Sequence, residues 1–67
     1  MDIDSIISSL ELEDFNVIPD EGGAFYNHKV LAIGVFISDE TPGREDPDNL
    51  LAEIRASARR SLIAAAK

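Results

Sequence analysis

The chain has 67 residues, 13 acids against 6 lysines and arginines, a net charge of −7, a hydrophobic fraction of 45% and no cysteine. Disulfides, thiolate metal sites and thiol catalysis are thereby excluded. So acidic a body repels nucleic acid and membrane phosphates, and it attracts basic protein surfaces.

At this length a single domain over residues 1–67 is expected, in a size range where one core leaves little net stability. Oligomerisation is the common remedy in the absence of disulfides, so a homodimer or a place in a larger assembly is expected. The charges are sorted along the chain. Residues 1–49 carry twelve acids against Lys29 and Arg44, whereas residues 50–67 carry Glu53 against Arg55, Arg59, Arg60 and Lys67. The opening Met1-Asp2-Ile3-Asp4 has acids where a secretory signal needs positive charge. Nor does any apolar run approach the roughly 20 residues that span a bilayer. A cytoplasmic protein without membrane contact is the expectation.

Ile3, Ile6, Ile7 and Leu10 fall at helical spacing behind Asp2 and Asp4, which suit an N-cap and a first helical turn. A short N-terminal helix follows. Past Leu10 the 3.6 period is lost, and Phe15, Val17 and Ile18 bring aromatic and β-branched character, so a strand is predicted over residues 13–18. Pro19-Asp20-Glu21-Gly22-Gly23 is turn chemistry, with one preset dihedral and two glycines free to take positive φ.

The return segment, residues 24–38, holds the longest apolar run of the chain, Val30 to Ile37. Unbroken apolarity predicts a strand covered on both faces, by a helix on one side and a partner subunit or second helix on the other. Asn27-His28-Lys29 is read as a tight turn that splits the segment and completes a three-stranded meander; as a mere polar entry it would leave a hairpin. Gly34 points to a bulge or a close approach. Thr41-Pro42-Gly43-Arg44 reads as a turn, and Asp46 before Pro47 as an N-cap followed by proline at the first helical position. On the helix that starts there, Leu50, Leu51, Ile54, Ala58, Ser61, Leu62 and Ala65 share a face that packs on the sheet, with Glu53, Arg55, Arg59 and Arg60 away from it. The fold class is therefore α+β, a small two-layer domain with a short N-terminal helix, an antiparallel hairpin or three-stranded meander, and a C-terminal amphipathic helix on the sheet.

Catalytic chemistry finds little support. His28, the one histidine, stands between Asn27 and Lys29 as a solvated turn residue, and Ser5, Ser8, Ser9, Ser38, Ser57 and Ser61 lie in no nucleophile-elbow pattern. Asp2-Ile3-Asp4 and Asp46-Pro47-Asp48 space carboxylates as calcium loops do, but counted from Asp2 the twelfth residue is Glu13 while Ile7 stands where an EF-hand needs glycine, and from Asp46 a helix begins at once; helix capping explains both. Gly22-Gly23 is not followed by Lys-Ser/Thr, so no phosphate loop is present. No enzyme, metal or cofactor is expected. Arg55, Arg59 and Arg60 are too few for a nucleic-acid footprint and suit internal ion pairs or an acidic partner.

Two functional readings remain. In the first, Glu11, Glu13, Asp14, Asp20, Glu21, Asp39, Glu40, Glu45, Asp46 and Asp48 form an acidic face that occupies a basic surface of another protein, one that normally holds nucleic acid, by imitating phosphate charge. In composition the chain is similar in type to the small, acidic, cysteine-free inhibitors of host defences that phages encode, anti-CRISPR proteins included. No functional residue is carried over from that likeness. In the second reading the chain is a homodimeric or accessory subunit, with Val30, Ile33, Val35, Ile37 and Ile63 at the contact and the acids serving solubility.

Overall fold

The structure, a computed structural model, describes residues 2–65. Helix α1 (Ile3–Ser8) is followed by a 3-10 turn (Leu12–Asp14), strands β1 (Phe15–Asp20), β2 (Gly23–His28) and β3 (Gly34–Ser38), and helix α2 (Pro47–Ala65). The strands form one antiparallel sheet in the order β1-β2-β3. Helix α2 lies against β3 on one side and α1 on the other. The α+β meander is thus the fold of the chain.

Local chemistry starts each helix. The Asp2 carboxylate accepts the Ser5 amide at 2.7 Å and caps α1, and this bond holds its carboxyl below the usual aspartate value. At α2 the Asp46 side chain accepts the Asp48 amide at 3.0 Å, with Pro47 in the position whose missing N–H costs nothing. The loop between β3 and α2 is closed on itself. Ser38 Oγ accepts the Glu40 amide, Gly43 takes a φ of +75°, and its carbonyl accepts the Asp46 amide at 3.0 Å.

The strands differ from the sequence expectation in register and extent. The segment over residues 12–14 coils into a 3-10 turn before the strand, and Pro19 and Asp20 belong to β1 rather than to the turn. Proline is admitted because β1 is an edge strand. The Asp14 carbonyl accepts the Lys29 amide just past β2, so strict alternation turns the Pro19 nitrogen outward, where no ladder bond is lost. The turn shrinks to Glu21-Gly22, with Gly22 at a φ of +80°.

The break between β2 and β3 falls after His28 rather than on it. Asn27 and His28 are paired strand residues, while residues 29–33 form the connection. Gly34 pairs regularly with Asn27, and the close approach is of side chain to backbone: a Cβ there would meet Asn27 Oδ1 at 2.9 Å. Because only residues 34–37 of the apolar run are strand, burial alternates, with Val35 and Ile37 inside and Phe36 outside. Burial on both faces is therefore not what the run encodes within this chain.

The core consists of Ile7, Leu10, Phe15, Ile33, Val35, Ile37, Ile54 and Ala58, with Leu10, Ile54 and Ala58 fully enclosed. On α2 the expected apolar face holds at Ile54 and Ala58, is partly covered at Leu50, Leu51 and Leu62, and fails at Ser61 and Ala65, which are exposed. The reason is length. Nineteen helical residues rise about 28 Å, whereas five or six strand residues span about 20 Å, so part of the helix has no sheet beneath it. None of the described helices is long and apolar enough to cross a membrane.

Truncating the enclosed centre should be costly: Ile54→Ala is expected to lower unfolding stability by about 2–5 kcal/mol in urea titration, a large share of what so small a domain has. The Asp2 cap has a pH signature. A carboxyl with a lowered folded pKa contributes stability above its ordinary value of about 3.9 and loses it as pH falls through the folded value. The protection factor of the Ser5 amide should therefore fall on acidification, and Asp2→Asn, which keeps an acceptor oxygen without the titration, should abolish that fall.

Candidate functional site

Three arginines meet three of the acids inside the molecule. Arg59 is ion-paired with Asp4, joining the C-terminal half of α2 to the start of α1. Arg55 Nη2 donates to the Leu10 carbonyl at 2.7 Å and lies 3.9 Å from Glu11 Oε1, so one guanidinium satisfies backbone left open where α1 ends. Arg44 Nε donates to the Asp39 carbonyl at 3.0 Å, and its Nη2 lies 3.4 Å from the Asp39 carboxylate. Arg55 is not the outward residue that helical periodicity suggests, because α1 lies over that side of α2.

The ten acids assigned to a binding face fall into distinct places. Asp20 and Glu21, at the β1–β2 turn, are brought beside Asp39 and Glu40 at the end of β3. The pairing of Gly23 with Ser38 and the bond from the Asp39 amide to the Gly22 carbonyl, 2.8 Å, place them there. Glu11, Glu13 and Asp48 line a second location, an open surface groove with Leu12, Pro47 and Leu51. Asp14 closes the 3-10 turn, and Glu45 and Asp46 lie on the approach to α2. Glu11 and Asp39 are engaged by arginine, Asp46 by its cap and Asp20 by the Glu21 amide at 2.8 Å, whereas Glu13, Asp14, Glu21, Glu40, Glu45 and Asp48 have no ion-pair partner among the described residues.

Of the residues assigned to an oligomer contact, Ile33, Val35 and Ile37 lie in the chain's own core, which corrects their placement. The pleat of β3 turns Val35 and Ile37 toward the helices, and Ile33, just ahead of the strand, is buried with them. Val30 and Ile63 are exposed, Val30 at 86%. His28 is a half-buried organiser of the tip rather than a solvated turn residue. Its Nδ1 accepts the Val30 and Leu31 amides at 3.1 and 2.9 Å, and its ring stands edge-on to Phe15 at 5.2 Å.

A row of apolar side chains on the outer sheet face is not evident from the sequence pattern. Ile18 pairs with Phe25 and Phe25 with Phe36, so all three project from the face opposite the core. They are 50%, 41% and 42% exposed, and the two phenylalanine rings are in tilted contact at 5.0 Å. The Phe36 ring leans over Gly23, where a Cβ would meet Phe36 Cζ at 2.7 Å. The signal lies in the alternation Val35-Phe36-Ile37, and it becomes legible once the break is set after His28. The row is flanked on one side by Asn16, Asn27 and Gly34 and on the other by Asp20, Gly23 and Ser38.

Compared with protein-family models, curated proteins and solved structures, the chain shows no match.

The two α2 arginines should separate in their contribution to stability. Arg55→Ala, which strips a charge-assisted bond from a partly buried carbonyl, is expected to cost about 1.5–3 kcal/mol, against about 0–1 kcal/mol for Arg59→Ala at an exposed pair. Thermal unfolding of the two variants measures the difference.

Proposed function

We propose that this chain is a small, non-enzymatic protein-binding module of the inhibitor kind. Its unpaired carboxylates occupy a basic surface of another protein, of the sort that otherwise holds nucleic acid. The carrying observation is the division of the acids. Arg44, Arg55 and Arg59 are turned onto Asp39, Glu11 and Asp4, so the acidic excess rests on outward side chains, with Asp20, Glu21 and Glu40 gathered at one end of the sheet. Carboxylates fixed on a rigid turn end favour fast, charge-guided association. Within that class we propose the type of the phage-encoded anti-defence inhibitors, on the strength of size, acidity and lack of cysteine.

A second reading, a homodimeric or accessory subunit, draws support from the uncovered apolar row on the outer sheet face. Salt separates the two. Affinity capture from a host-cell lysate at low ionic strength, with stepped elution, should release a basic, nucleic-acid-handling protein at moderate salt. Capture should be lost with the combined variant Glu21→Lys, Glu40→Lys, Glu45→Lys, which spares the bonded Asp39 and the capping Asp46. Undiminished capture by that variant would overturn the acidic reading, and a partner that resists high salt would favour the subunit.

A further inference from the structure

The outer face of the sheet has no layer over it, and its apolar content is concentrated in the single row Ile18-Phe25-Phe36. With strands about 4.8 Å apart, that row is about 10 Å long and crosses all three strands. Side by side, three strands of about 20 Å present a face of about 300 Å². A standard protein–protein interface takes about 800 Å² from each partner, so this face alone is too small to hold two copies of the chain together. Charge opposes self-association as well, since each copy carries −7.

The dimensions suit one helix, about 10 Å in diameter, lying over the sheet as α2 does on the other side. Its apolar stripe at i, i+3, i+4 and i+7 would meet the row. The flanks of the row are unequal. One carries the amides Asn16 and Asn27 beside Gly34, and the other carries Asp20 with Glu21 and Glu40 on the adjoining connections. A complementary helix is therefore basic along one flank.

We propose that the outer sheet face is the docking surface for a basic amphipathic helix of the partner protein, with Phe25 and Phe36 as the central anchors and Asp20, Glu21 and Glu40 meeting its lysine or arginine flank. This rests on the acidic-module reading and names the occupant. Paired phenylalanines on a sheet are also a platform on which bases stack. The carboxylates beside this pair disfavour a phosphate backbone, so the protein helix is the occupant the charges select.

The test is an amide-resonance titration of the full chain with three 18-residue helical peptides. The first has a leucine stripe and one lysine flank, the second the same stripe with glutamate flanks, and the third the lysine flank with serine replacing leucine. The first should shift Ile18, Phe25 and Phe36 and bind at least tenfold more tightly than the other two. Phe25→Thr should weaken it at least tenfold while the far-ultraviolet spectrum stays native, and Ile18→Thr, on the edge strand, is the second variant should Phe25→Thr fail to fold. Equal binding of the serine peptide would overturn the apolar anchor. Concentration-dependent shifts at these residues in the chain alone would install a second copy instead, and shifts by a single-stranded oligonucleotide would install nucleic acid. Undiminished binding of the leucine–lysine peptide by the Glu21→Lys, Glu40→Lys, Glu45→Lys variant would overturn the basic flank, and with it the acidic reading, while leaving the apolar face standing.

Discussion

The seating of Ile54 and Ala58 between α1 and β3 is the contact on which the rest of this molecule depends. Both residues are wholly enclosed, and around them close Ile7 and Leu10 from α1 and its C-terminal end and Val35 and Ile37 from β3. A chain of 67 residues has few ways to enclose anything. Here α2 serves two neighbours at once, and the cost is that it covers only the β3 side of the sheet. Val17, on the core-facing side of β1, is left 54% exposed for that reason. The outer face, with no second long helix available, is left without cover.

The same helix reorganises the charges. Arg55 and Arg59 project from α2 onto the backbone and carboxylates of α1 and the residues just after it, fastening the weakest element of the fold, a helix of six residues. Isolated helices of that length are marginal, so α1 is held by tertiary contacts and its Asp2 cap rather than by propensity. The basic C-terminal segment is in this way an internal counterweight to the acidic N-terminal one. The negative excess of the surface is then left to the acids that no arginine meets.

Elements marked by strong local chemistry are legible in the amino-acid sequence. Asp2 and Asp46-Pro47 announce the two helix starts, Pro42-Gly43 the turn before α2, and the period of Leu50, Ile54 and Ala58 the buried face. Where several apolar residues run together, local pattern cannot say which are strand. Val30 to Ile37 reads as one buried strand, yet its first four residues precede β3 in a connection held by the His28 imidazole, a bond between a side chain and amides two and three positions on. That displacement sets the alternation of β3, and with it the difference between Val35 and Ile37 as an interface and as a core. Which acids are bonded is likewise illegible in the sequence, because Asp4–Arg59 and Glu11–Arg55 join residues far apart in the chain.

Glu21, Glu40 and Glu45 sit on the chain's connections, exposed and outside its core cluster. Their sign can be altered by single substitutions without repacking anything, since no enclosed volume and no buried polar group changes. In this scaffold the architecture and the surface potential are thus separate evolutionary variables. The electrostatics can be retuned at the turns while the seam between α2, α1 and β3 stays fixed.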